Sequence, residues 1–135
     1  MKKLVITSCI FYVTFLNAAN ITAERVNNDV YLLKIIGQIF EDDGRKFKDL
    51  SQNIKRAVVV LDSPGGSVLG GLEIGRSIKN NNYFTAVPNK TLCASSCALI
   101  WLAGTKRFAE DDSFIGFHAA YVYKNGKPVE SGSLS

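Results

Sequence analysis

The chain is poor in metal-ligating side chains. It contains one histidine, His118, and three cysteines in 135 residues. A structural zinc site takes four cysteine or histidine ligands, and Cys93, Cys97 and a distant histidine do not readily supply that set. We therefore predict no metal and no other cofactor. Any imidazole that acts as an acid or a base near neutral pH must be that of His118.

The sequence also lacks a basic run. Its 16 lysines and arginines are scattered, without interleaved aromatic residues, so nucleic-acid binding is not predicted. The formal net charge is +4, and it falls to +2 without residues 1–23, which carry two lysines and no acids. A charge this small points to no particular partner.

The N-terminal apolar run is shorter than the ~20 residues that a membrane span needs. A basic start, an apolar stretch to Leu16 and then small residues are typical of a secretory signal peptide. We expect removal of residues 1–23, with cleavage after Ala23 preferred over cleavage after Ala18, and a mature domain over 24–135. The protein is then periplasmic or secreted and has no membrane span. The alternatives are an uncleaved membrane anchor or a buried strand.

The rest of the chain alternates between strand and helix patterns, which predicts an α/β fold. With 47% apolar residues it has enough for one small domain. Strands are predicted at 30–36 (continuing to 40), 57–61 and 83–87, helices at 47–55, 67–79 and 95–103, and extended segments at 114–123 before a hairpin turn at 125–126. The β-branched run 57–61 is typical of a central parallel strand that is buried on both faces.

Three motifs follow predicted strands. Residues 62–66 read Asp-Ser-Pro-Gly-Gly, residues 93–97 read Cys-Ala-Ser-Ser-Cys, and His118 ends an extended segment. Because sites in open α/β sheets form at the carboxyl ends of strands, Gly65, Gly66, Ser95 and His118 are expected to converge. A serine nucleophile, a base and a turn with free N–H groups are what acyl transfer requires.

In their order, these motifs resemble the Clp protease proteolytic subunit, within the Clp/crotonase superfamily, and more distantly signal peptide peptidase A. The resemblance extends to Ala98, Ala103-Gly104 and Arg107-Phe108, and it covers roughly residues 58–121. It implies a repeated ββα spiral with a mainly parallel sheet in a single small domain. It also implies a homo-oligomer that acts on peptide or protein substrates.

The resemblance also assigns roles to residues. Ser95 is implied as the nucleophile and His118 as the base that takes its proton. The backbone N–H groups of Gly66 and Ser96 are implied as the oxyanion hole, and Gly65 belongs to the turn beside the substrate. Each such donor typically lowers the reaction barrier by ~3 to 4 kcal/mol.

The sequence departs from the Clp pattern in three ways. A second hydroxyl, that of Ser96, follows the nucleophile, and the interval from Ser95 to His118 is two residues shorter than usual. The family's acidic third member lies beyond the histidine, where this sequence has only Glu130. Either the pair works without an orienting carboxylate, at a cost of ~10⁴ in rate by analogy with triad variants, or Glu130 supplies it, or this is a truncated product that lacks the acid.

Other interpretations stay open at this point. A Ser-Lys pair with Lys124 or Lys127 as base is one, and a crotonase-type thioester site is another, although export argues against coenzyme A substrates. A non-catalytic or degenerate Clp-like scaffold is a third. Ser95 or Ser96 can also serve as a helix N-cap.

The two cysteines that flank the serines have two interpretations as well. In an oxidising compartment an isolated pair tends to form a disulfide, and a spacing of four suits one helical turn. The alternative is two small buried thiols. A disulfide between Cys93 and Cys97 would bracket Ser95.

Overall fold

The computed structural model describes residues 18–118 and 121–130. The predicted signal segment up to residue 17 and the last five residues lie outside this range. The elements in chain order are β1 (Asn20–Arg25), β2 (Tyr31–Ile36), α1 (Asp43–Ser51), β3 (Ala57–Asp62), α2 (Val68–Asn80), β4 (Phe84–Val87), β5 (Leu92–Ala94), α3 (Ser96–Leu102), β6 (Arg107–Ala109), β7 (Phe114–Gly116), β8 (Tyr121–Lys124) and β9 (Lys127–Glu130). The α/β class predicted from the sequence is confirmed.

The main sheet has five strands in the order β1-β2-β3-β4-β6. Only β1 is antiparallel to its neighbour, so the sheet is mostly parallel, and β3 lies in its middle as predicted. Strands β5 and β7 form a separate parallel pair. The predicted hairpin turn is also present, with positive φ angles of 52° at Asn125 and 73° at Gly126.

One face of the main sheet carries the core. Leu33, Val59 and Thr85 are cross-strand neighbours and all are fully buried. The buried side chains of the helices join the same core, among them Phe47, Ile74, Ile78 and Ile100. On the opposite face Val58 and Val60 are only partly covered. Burial on both faces, predicted for residues 57–61, therefore holds for one face only, because the helices contribute to a single core.

Several element boundaries differ from the predictions. Helix α1 begins and ends four residues earlier than the predicted 47–55. Strand β2 stops at Ile36 because Gly37 has a φ of +98°, so the predicted continuation to residue 40 was wrong. Strand β1 was assigned to the signal peptide as far as Ala23. Five of its six residues are exposed, so it carries no strong strand pattern, and pairing with β2 defines it.

The packing of α2 against α3 gives a test with a matched control. A Cβ on Gly71 would lie 2.9 Å from Cβ of Ser96, whereas a Cβ on Gly75 would make an ordinary 3.4 Å contact with Ala103. We expect Gly71→Ala to lower the free energy of unfolding by about 2 kcal/mol through overpacking. Gly75→Ala should be neutral or stabilising by up to ~1 kcal/mol through helix propensity. Urea unfolding measures both, and equal effects would contradict the packing argument.

Candidate active site

The turn after β3 is hydrogen-bonded directly to β5. The Ser63 N–H donates to the Leu92 carbonyl at 2.6 Å, and the Ala94 N–H donates to the Ser63 carbonyl at 3.0 Å. The buried Ser63 hydroxyl accepts the Gly65 N–H at 3.0 Å. These bonds hold the Gly-Gly turn against the strand that leads to Ser95.

Gly66 forms an isolated parallel β-bridge with Ile39, and the N–H of Gly66 takes no part in the hydrogen bonds of this bridge. The Ile39 N–H donates to the Gly65 carbonyl and the Ser67 N–H donates to the Ile39 carbonyl, both at 2.8 Å. The Gly66 N–H therefore points away from Ile39, and no acceptor for it occurs within 18–118 and 121–130. Gly66 as a residue is exposed.

Glycine at position 66 lies against the backbone of Ile39. In the structure a Cβ on Gly66, at φ +143°, would overlap the carbonyl oxygen of Ile39. Packing within the protein therefore already requires glycine, independently of any substrate.

Ser95 lies on a sharp turn between β5 and α3. Its φ of 58° and ψ of −125° are unusual for a residue with a side chain, and its N–H donates to the Gly116 carbonyl at 2.9 Å. A serine on a strained strand-to-helix turn projects its hydroxyl outward, an arrangement known from hydrolase nucleophiles. Ser95 precedes the first helical residue, yet its side chain makes no capping hydrogen bond. A simple N-cap role is thus not what the structure shows.

Ser96 is distinguished from Ser95 by burial. Its side chain is 1% exposed, and its hydroxyl has no hydrogen-bond partner among the described residues. Ser95 is half-buried and so reaches the surface. The backbone N–H of Ser96 lies close to the Gly-Gly turn, since a Cβ on Gly65 would be 3.0 Å from that nitrogen. The hydroxyl of Ser96 is therefore poorly placed to act on a substrate, while its N–H is available at the start of α3.

His118 follows the strand that pairs with β5. Ala94 and Gly116 are partners in the parallel β5–β7 ladder, so the carboxyl ends of both strands lie side by side. Ser95 is the first residue after one end, and His118 is the second residue after the other. His118 is exposed. The topology thus places the serine and the histidine at one edge, next to the Gly-Gly turn.

The far end of α3 is anchored to the main sheet. The Thr85 hydroxyl donates to the Trp101 carbonyl at 2.7 Å, and Trp101 Nε1 donates to the Phe108 carbonyl at 3.1 Å. These contacts join α3 to β4 and β6. The helix that begins beside Ser95 is therefore held at both ends.

The sulfur atoms of Cys93 and Cys97 are 1.99 Å apart, which is disulfide-bonding distance, and both residues are fully buried. Of the two interpretations left open by the sequence, the structure has the bonded pair. The bond spans Ala94, Ser95 and Ser96. It ties the last strand residues of β5 to the first turn of α3.

Reduction of this bond should destabilise the protein. A loop of about five residues corresponds to ~2 kcal/mol of unfolded-state chain entropy in the loop-closure treatment. We expect the free energy of unfolding of the oxidised protein to exceed that of the reduced protein by about this amount. The oxidised protein should therefore unfold at a higher urea concentration. A Cys93→Ala/Cys97→Ala variant serves as the control because its stability must not respond to reductant. An unchanged midpoint after complete reduction of the native chain would contradict this expectation.

The β8–β9 hairpin carries the two lysines of the alternative Ser-Lys pair and also Glu130, the candidate third acidic residue. Lys124 and Lys127 pair across it beside the turn, and Lys127 is exposed, whereas a lysine base requires desolvation. Glu130 pairs with Tyr121 at the opposite end of the hairpin. Tyr121 is three residues after His118 in the sequence.

Sequence reasoning missed the part played by Gly116. Its carbonyl accepts the Ser95 N–H and so fixes the turn at Ser95. A hydrogen bond to a backbone carbonyl leaves no trace in the pattern of side chains. The only feature of the sequence that pointed to an acceptor here was the extended segment predicted at residues 114–118.

No group of three or more histidine, cysteine or acidic side chains that could hold a metal ion occurs within 18–118 and 121–130. In the same part of the chain, no helix is long and apolar enough to cross a membrane.

Comparison with known proteins gives matches in structure. No model of a known protein family and no curated protein matches this chain. A mutant of ClpP1 from Listeria monocytogenes matches with a TM-score of 0.59 and 19% identity, over 66% of this chain and 56% of that one. The ClpP protease catalytic domain from Plasmodium falciparum matches with a TM-score of 0.57 and 19% identity, over 67% and 55% of the two chains.

A third match is a mutant of the membrane-bound stomatin-specific protease 1510-N. Its TM-score is 0.60 and its identity 20%, over 79% of this chain and 56% of that one. The chain thus spans a little over half the length of each of these proteins. At such identities the similarity establishes the fold, which is ClpP-like, as the resemblance in sequence implied.

Proposed function

We propose that this ClpP-like chain is a serine-type peptidase or hydrolase that acts on exported protein or peptide substrates. Ser95 is the nucleophile, His118 the general base, and the N–H groups of Gly66 and Ser96 the oxyanion hole. The observation that carries the proposal is the Ser95 turn. The Ser95 hydroxyl makes no capping hydrogen bond. The Ser95 turn lies against Gly65 and beside the end of β7, which precedes His118.

The proposed chemistry follows from these positions. A serine hydroxyl is a weak nucleophile, so His118 accepts its proton as Oγ of Ser95 attacks the substrate carbonyl carbon. The carbonyl oxygen becomes an oxyanion, which two fixed N–H donors stabilise without reorganising at the moment of reaction. The imidazolium then gives its proton to the leaving amine, and water hydrolyses the acyl-enzyme by the reverse sequence.

Glu130 is the candidate for the orienting acid. An imidazole that acts as base needs its other nitrogen held so that the correct tautomer faces the serine. Supporting this assignment, the hairpin register pairs Glu130 with Tyr121, close after His118 in the chain. An acid from a part of the protein outside this sequence is the competing source.

The proposal includes export and self-association. Export rests on the N-terminal pattern, and the Cys93–Cys97 pair at bonding distance fits an oxidising compartment. Several large apolar side chains remain exposed in the described residues, which favours a homo-oligomer. They include Leu69 at 63%, Phe114 at 62% and Phe117 at 57% exposure. Sedimentation equilibrium tests the assembly, and a monomer at micromolar concentration would contradict it.

A fluorophosphonate probe tests the hydrolase proposal. It reacts with activated serines, forming a phosphorus–oxygen bond and releasing fluoride. We expect one adduct on the purified protein, located at Ser95 by peptide mass spectrometry and absent from Ser95→Ala. Ser96→Ala should still be labelled, because its hydroxyl is buried.

Two results would reject the proposal. One is the absence of any adduct on a protein whose fold is confirmed by circular dichroism and cooperative unfolding. The other is an adduct that persists in Ser95→Ala. Either result would leave a ClpP-like scaffold without hydrolase activity as the better interpretation.

A further inference from the structure

Ala19 is the first buried residue of the described chain. Ala18 is exposed, whereas Ala19 is 7% exposed and belongs to the hydrophobic core. The backbone nitrogen of Ala19 donates to Oδ2 of Asp43 at 3.3 Å. The peptide bond between Ala18 and Ala19 therefore lies next to a carboxylate.

That carboxylate is fully buried. The Asp43 side chain has no solvent exposure, and its Oδ2 also accepts the Phe40 N–H at 2.8 Å. Its one cationic partner in the described residues is Lys46, at 2.9 Å from Oδ1, with a side chain that is 53% exposed. A buried carboxylate is costly unless it is paired and hydrogen-bonded. Because the Lys46 side chain is half exposed and contacts Oδ1, a positive charge at the Ala19 nitrogen would add a second ionic partner, on Oδ2.

The pairing of β1 with β2 favours cleavage after Ala18 over cleavage after Ala23. All six residues of β1 pair with β2, from Asn20 opposite Ile36 onward. Cleavage after Ala23 would remove four of these six residues and leave residues 33–36 of β2 as an unpaired edge. Cleavage after Ala18 keeps the whole strand and releases the amine of Ala19.

We infer that Ala19 is the N-terminus of the mature protein and that its ammonium group forms an ion pair with the buried Asp43. A leader-cleaving endopeptidase hydrolyses the Ala18–Ala19 bond with one water molecule. Ala18 keeps the new carboxylate, and the amine of Ala19 takes up a proton. A peptide N–H at the edge of the core is thereby replaced by a charged donor facing a carboxylate.

The first test is the N-terminal residue of the exported protein. The full precursor is expressed in a bacterium with an export pathway, and the mature chain is analysed by intact mass and N-terminal peptide mass spectrometry. The expected product begins at Ala19. An exported chain that begins at Asn20, Glu24 or any other residue overturns the inference.

The second test measures the ion pair. Two purified forms are compared. In the first, which starts at Ala19, the nitrogen of Ala19 is an amine; in the second, which starts at Ala18, that nitrogen is a peptide N–H and the amine lies one residue further out. Asp43→Asn should lower the thermal midpoint by about 5 °C more in the first form than in the second. Asp42→Asn is the matched control because that side chain is 70% exposed, and it should affect both forms equally. Equal effects of Asp43→Asn in the two forms would overturn the ion pair.

This inference rests on the export part of the proposed function and not on hydrolysis. A chain that retains Met1 in the cell rejects export and the inference together. Fluorophosphonate labelling of Ser95 is unaffected by that result, so failure of the hydrolase proposal is recognised separately.

Discussion

Replacing His118 with glutamine is expected to slow fluorophosphonate labelling of Ser95 by a factor of about 10³, which is typical for loss of a general base. Glutamine cannot take the proton of the attacking hydroxyl. The unfolding midpoint of the variant, measured alongside, checks that it is folded. The pseudo-first-order labelling rate, followed by intact mass spectrometry, measures the effect.

Variants of the hairpin provide the comparison. Lys124→Met and Lys127→Met should label at the native rate, and a loss in either with none in His118→Gln would support the Ser-Lys pair instead. If Glu130 orients the imidazole, Glu130→Gln slows labelling in the native background but not further in His118→Gln, because residues that act as a unit are not additive. A native rate in Glu130→Gln would assign the orienting role elsewhere.

Gly65→Ala is expected to lower the free energy of unfolding by about 3 kcal/mol and to abolish labelling. The φ of Gly65 is +92°, and a Cβ there would lie 2.5 Å from the Ala94 carbonyl oxygen and 2.7 Å from Cβ of Ser95. Positive φ and overpacking each cost about 1 to 3 kcal/mol. The clash also pushes against the Ser95 turn itself, so the geometry proposed for labelling is lost in whatever fraction still folds.

Gly37→Ala is the matched control. Its φ of +98° is nearly the same as that of Gly65, but the nearest atom to a Cβ there is Cα of Ala19 at 3.9 Å. This variant carries only the backbone strain, of about 1 to 2 kcal/mol, and should still be labelled at Ser95. Similar losses of stability and labelling in both variants would show that the contact with Ser95 does not matter.

Local patterns in the sequence predicted the central elements of the fold. The β-branched run 57–61, the helix before residues 80–82, the apolar helix after Ser95 and the Asn125-Gly126 turn all depend on neighbours in sequence, and the structure has each of them. The candidate site residues are also recognisable from motif order. Their convergence follows from a general property of parallel sheets, which brings the ends of strands to one edge.

Strand β1 and the buried Asp43 required the tertiary structure. Most of β1 is exposed, so no alternation marks it, and it is a strand because β2 offers it a hydrogen-bonding edge. Asp43 lies in a run of acidic residues that looks like an ordinary solvated turn, yet its side chain is enclosed by Ala19, Phe40 and Lys46. The contact between Asp43 and Ala19 spans 24 residues of sequence, so it leaves no local signal.

The sequence by itself determined that two adjacent serines follow a Gly-Gly turn and precede the one histidine. Only the tertiary structure decided which serine faces outward, because burial depends on what α2 places over α3. Gly71 packs on Ser96 and covers its side chain. The positive φ of Ser95 turns the Ser95 side chain toward the surface. Spacing along the chain fixes which groups are present, and packing between distant elements fixes which of them are exposed.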